Sequence, residues 1–141
     1  MNTVLQNALA KGHGIKNGRA VLSLLKPSNS RNKAKADIVI RKISIEERYF
    51  SGRGFLCANP LLMCMIQATD IDNYKGNDEL VFFVDAGAAP SRDNRTILVL
   101  LNNRYFFKKF SGIDNKDIVI GKVIGQNEIS ELGLAVADAK V

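Results

Sequence analysis

At 141 residues, the chain is one domain's worth, long enough to bury a core without disulfide or metal staples. Its 46% hydrophobic and 24% charged residues are ordinary for a globular protein, and no apolar run approaches the roughly 18 residues of a membrane span, which excludes a spanning helix. The net charge of +6 is uneven: residues 1–55 carry 11 Lys/Arg against three acids, and residues 56–141 carry nine against 11. A basic N-terminal part predicts a polyanionic partner, nucleic acid above all. No charged leader with an apolar stretch and a cleavage site opens the chain, so a cytoplasmic location is expected. Two cysteines, Cys57 and Cys64, form neither a disulfide framework nor a zinc set, and a reducing compartment follows.

In chain order, Val4, Leu5, Ala8 and Leu9 stand at helical spacing, and Gly12 stops the predicted helix. Residues 18–26, GRAVLSLLK, predict a second short helix ended by Pro27. The polar, basic stretch 27–36 reads as a linker. This gives a division into a basic arm, residues 1–36, partly disordered or in short helices, and a β-rich domain, residues 37–141. Residues 37–45, DIVIRKISI, alternate and are β-branched throughout, which predicts a strand. Residues 47–55 read as a turn-rich connection with two glycines. Strands are then predicted at 61–67, 79–85, 96–101, 104–110 and 117–124, followed by a helical tail over 127–139. Asn102-Asn103, between two apolar runs, predicts a tight hairpin, because Asn tolerates positive φ. The fold class is mostly β, with short peripheral helices.

Residues 64–125 run through C-M-I-Q, a polar stretch ending G-N-D-E-L, V-F-F-V-D, a loop, then T-I-L-V-L-L-N-N-R-Y-F-F-K-K-F and D-I-V-I-G-K-V-I-G. In order and spacing this resembles the C-terminal peptidase domain of the LexA/UmuD family of self-cleaving proteins. Val84-Asp85 matches a strand end, Asn102-Asn103 the hairpin turn, Phe107-Lys108-Lys109-Phe110 the segment bearing a general-base lysine, and residues 121–124 the closing strand. The resemblance implies a LexA/UmuD-like fold, a role in the DNA-damage (SOS) response or in phage or plasmid regulation, and a tendency to form dimers. It also implies a protein partner such as a recombinase filament, a polymerase or a repressor.

By the same resemblance Cys64 occupies the nucleophile position and Lys108 that of the base. A lysine serves as base only when desolvation lets it lose its proton near neutral pH. Lys108, flanked at two-residue spacing by Phe106 and Phe110, fits that need. The family's usual Ala-Gly or Cys-Gly cleavage dipeptide does not precede Cys64, which implies binding with self-cleavage weakened or lost. The competing expectation is a non-enzymatic nucleic-acid-binding module. Its arm cations are Lys11, Lys16, Arg19, Arg31, Lys33 and Lys35, and the aromatic and basic strand 104–110 supplies a stacking platform. His13 is the lone histidine and too isolated for a triad. No phosphate-cradling loop is present, and the acids at 70–79 lack EF-hand spacing, so no cofactor or metal is expected.

Overall fold

The computed structural model describes residues 3–29, 37–52, 57 and 59–137. Its centre is one mixed sheet in the order β7-β6-β8-β5-β4-β2-β3-β9, with β1 also paired to β2. The strands are β1 (Gly14–Lys16), β2 (Arg19–Lys26), β3 (Val39–Glu46), β4 (Met63–Gln67), β5 (Leu80–Asp85), β6 (Ile97–Leu101), β7 (Arg104–Lys108), β8 (Ile118–Glu128) and β9 (Ala135–Val136). Neighbours pair antiparallel except β2 and β4, which run parallel. The mostly-β expectation holds.

Alternation along the strands sorts side chains to two faces. One face collects Leu25, Cys64, Ile66, Phe82, Val84, Leu98, Leu100 and Tyr105, capped by Leu5 and Leu9 of helix α1 (Thr3–Ala10). The other collects Leu22, Leu24, Ile43, Ile45, Met63, Met65, Val81 and Phe83, covered by Phe50 of helix α2 (Glu47–Ser51) and by Leu132. β5 is buried along its whole length, as a central strand must be.

The hairpin forms as expected. Asn102 and Asn103 have φ of 53° and 62°, as a two-residue type I′ turn requires, and Leu101 pairs with Arg104. Three expectations are corrected. Residues 19–26 form strand β2, not a helix: Asn17 (φ 55°) and Gly18 (φ 76°) turn the chain back from β1, and β2 then bonds to β3 along eight residues. Helix α2 replaces part of the connection over 47–55. Over its described residues, 127–137, the tail is not an α-helix: β8 keeps its ladder with β5 through Glu128, after which a 3₁₀ turn (Ile129–Glu131) leads into β9.

The sheet crosses the expected boundary at residue 36: β2, residues 19–26, lies between β3 and β4. Tertiary pairing on both edges outweighs the weak helical preference of GRAVLSLLK.

Candidate functional site

Register places three chemistry-bearing side chains in one row. Lys42 on β3 pairs with Ser23 on β2, and Ser23 pairs with Cys64 on β4. Direct partners on adjacent strands point to the same face, so ammonium, hydroxyl and thiol lie side by side across about 10 Å of sheet. Ser23 and Cys64 are both 0% exposed.

Helix α1 lies over this row. Lys42 Nζ donates to Ala8 O at 3.0 Å, to Leu9 O at 2.9 Å and to Ser23 Oγ at 2.6 Å. Ser23 Oγ donates in turn to Leu9 O at 3.2 Å. The last carbonyls of a helix have no partner within it and carry the negative end of its dipole, so a cation there is favoured. Burial lowers the Lys42 pKa from its usual value; the nearby Cys64 opposes this, and Lys11 adds to it. His13 sits beside the cluster with its ring 5.0 Å from that of Phe50. Burial, with Lys42 second, lowers its pKa.

In this arrangement the hydroxyl is a bridge rather than a nucleophile. Activation needs an amine free to take the serine proton, whereas Lys42 spends its protons on three acceptors and Ser23 hands its own to Leu9. The row is built to hold carbonyl oxygens.

The expected pair of Cys64 and Lys108 is not assembled. Lys108 lies on β7, with β6, β8 and β5 between it and β4, about 19 Å along the sheet. It also points away from the face that Tyr105 and Phe107 share with Cys64. Lys108 Nζ is held by Asp117 at 2.8 Å, with the carboxylate side chain at 0% exposure. Burial pushes the Asp117 carboxyl upward, but hydrogen bonds from Lys108 and from the Asp114 N–H bring it below its usual range. Burial, with Cys57 and Asp85 adding, pushes the Cys64 thiol up to about 12. Cys57 is likewise raised to about 12, by burial and by Asp85, to which it hydrogen-bonds. Both thiols are protonated and unreactive at neutral pH.

Three of the six predicted nucleic-acid residues fall among the described residues. Lys11 and Lys16 are exposed, on the turn after α1 and on β1. Arg19 is spent internally, donating to Ser44 O, Ser44 Oγ and Gly133 O. Arg31, Lys33 and Lys35 lie outside the described residues. Of the aromatics on the predicted stacking strand, Tyr105 is fully buried and the Phe107 ring packs edge-on to Phe82 at 4.9 Å, whereas Phe106 on the other face is half-buried and Phe110 is exposed. Of the acidic loop, Asp70 pairs with Lys26 at 2.9 Å and Asp72 with Arg104 at 3.6 Å, so both serve in ion pairs.

Ser23 and Lys42 escaped the sequence reading because a helical 18–26 hides the alternation that sets Ser23 opposite Leu22 and Leu24. Among the described residues, no helix is long and apolar enough to cross a membrane. Comparisons with protein families, curated proteins and solved structures find no match.

Proposed function

We propose that this chain is a non-cleaving binding domain of the LexA/UmuD type, engaging a protein partner in the DNA-damage response or in phage or plasmid regulation. The motif order over residues 64–125 supports the family reading. The observation that carries its non-catalytic half is the separation of the two groups that cleavage needs. Cys64 is sealed and protonated on one face of the sheet, while Lys108 is neutralised by Asp117 on the other, with three strands between them. A buried, protonated thiol whose neighbouring amine, Lys42, is committed to three acceptors cannot attack a peptide bond.

The test incubates the purified chain with a recombinase filament on single-stranded DNA at mildly alkaline pH. Intact mass is read by mass spectrometry and binding by co-sedimentation, with a polymerase and a repressor as parallel candidates. The expected result is binding to one of the three with the mass unchanged. Cleavage that disappears in Cys64→Ala overturns the non-catalytic half. Failure to bind any of the three overturns the partner half.

A further inference from the structure

Helix α1 has the attributes of a removable part. Eight residues are too few for a stable helix in water, so its structure depends on docking. It has no acidic residue in its first turn and no basic residue in its last; the cation at its C-terminal end is borrowed from β3. Two leucines four apart, Leu5 and Leu9, anchor it, while Val4 is 79% exposed. It takes no part in the ladders of the sheet, so lifting it breaks no strand pairing. Its tether turns at Gly12, whose φ of 75° only glycine adopts freely.

What it covers is unusual for the inside of a β domain. Beneath its C-terminal carbonyls a serine and a lysine stand beside Leu25, Cys64 and Ile66, members of the same apolar core cluster as Leu5 and Leu9. Apolar residues at those two positions would pack without needing partners. The polar pair is complementary to one thing, the open carbonyl end of a helix.

We propose that α1 is a displaceable plug in a helix-accepting groove, latched by Lys42, and that its release offers the groove to a partner's amphipathic helix bearing leucines at i and i+4 and free C-terminal carbonyls. The opening of α1 stands without the family reading above; only the identity of the partner rests on it. α1 is then a pseudo-ligand, and a partner helix wins by matching its two anchors and its carbonyl end.

Cys64 reports the opening, because the chain has two cysteines and Cys57→Ser leaves Cys64 as the single thiol. In that background, alkylation of Cys64 at pH 8 should proceed through an opening almost insensitive to low urea, since only α1 leaves. Lys42→Met should speed alkylation at least about tenfold, by removing three charge-assisted hydrogen bonds, with the far-UV spectrum unchanged. The double variant Leu5→Asp/Leu9→Asp should unplug the groove outright. A synthetic peptide of residues 3–12 should then slow its alkylation again, and the same peptide with both leucines changed to alanine should not. Alkylation that follows global unfolding, or that is unmoved by Lys42→Met, overturns the plug. No protection by the peptide overturns the helix-accepting groove. Should either variant fail to fold, hydrogen exchange of the wild type decides. Amides of residues 6–10 exchanging well before those of β2 and β4 support the plug, and exchange in step with the sheet overturns it. Because the peptide is the probe, this outcome is independent of whether a recombinase filament, polymerase or repressor binds.

Discussion

Replacing Gly121 with alanine puts one methyl group where β8 crosses the end of β5. A Cβ built there would stand 2.7 Å from the Asp85 carbonyl carbon and 2.8 Å from the Ala86 Cα, distances that real Cβ atoms essentially never show. Both obstacles are backbone, at the end of a strand buried along its length and paired on both edges to β4 and β8. Neither can swing aside as a side-chain tip would, so one of the two central strands must move by several tenths of an ångström or more. Overpacking of this kind costs about 1–3 kcal/mol when side chains absorb it, and backbone displacement belongs at or above the upper end. We expect a loss of about 3 kcal/mol. With an m-value of about 2 kcal/mol/M, the urea midpoint followed by far-UV circular dichroism should fall by about 1.5 M. Gly112→Ala is the matched control: its Cβ would meet nothing within 4 Å and the residue is exposed, so its midpoint should move by no more than about 0.3 M. A Gly121→Ala midpoint as close to wild type as that of the control would refute the crossing geometry, and with it the placement of Asp85 beside Cys57.

Three further outcomes follow from particular groups. The Tyr105 hydroxyl is buried with no hydrogen-bond partner among the described residues, so Tyr105→Phe should leave stability unchanged or raise it by about 1 kcal/mol; a loss larger than that in urea titration would mean the hydroxyl is bonded. Asp117 has its pKa held below 3.8 by Lys108 and the Asp114 N–H despite burial, so its stabilisation is complete above that pH and is lost as the pH falls through the lowered value. Asp117→Asn should therefore cost about 1–3 kcal/mol at pH 7 and flatten the acid limb of the stability curve, and an unaltered limb would count against it. Cys64 is raised from 9.0 to about 12, so the stability it confers is whole below pH 9 and is lost as the pH climbs through 12. Lys42, lowered from 10.5, works in the opposite sense and offsets part of this. Cys64→Ala should flatten the limb above pH 9 in urea midpoints taken from pH 8 to 11; parallel curves for the two proteins would sink the assignment.

The strands from β3 to β8, with the β6–β7 hairpin, are legible because each announces itself locally, by two-residue alternation or by a turn pair that tolerates positive φ. What the residues hid was β2. GRAVLSLLK carries apolar groups so densely that a helix and a strand buried on both faces look alike by periodicity. The deciding signal lies one step upstream: Asn17-Gly18 is a strong two-residue hairpin pair that turns the chain from β1 into β2, and as a strand β2 can then pair with β3, where Ser23 meets Lys42. Read as a helix, that segment also conceals the polar row. The tail was lost for the converse reason. Residues 126–128 have little strand character of their own and are held extended by their ladder to Leu80–Phe82, a tertiary effect that no local pattern announces.

The failure of the Cys64–Lys108 pair shows how sheet parity limits an inference from motif order. A two-residue turn at Asn102-Asn103 locks Arg104 opposite Leu101 and hence Lys108 opposite Ile97. Moving Lys108 to the face of Cys64 needs a one-residue slip, which would turn Tyr105 and Phe107 out of the core and bring Lys108 in among Phe82 and Leu98. The turn that makes the hairpin recognisable thus keeps its lysine off the thiol's face of the sheet, and the strand order keeps it at a distance besides. Lys42 reaches the row by the same rule working in favour. β2 pairs antiparallel with β3 and parallel with β4, and both registers bring Ser23 level with its neighbours, so ammonium, hydroxyl and thiol meet without any bulge. A lysine delivered by the eight-residue register of β2 and β3 cannot be withdrawn while the sheet exists. The element free to move over it is the helix whose carbonyls it holds.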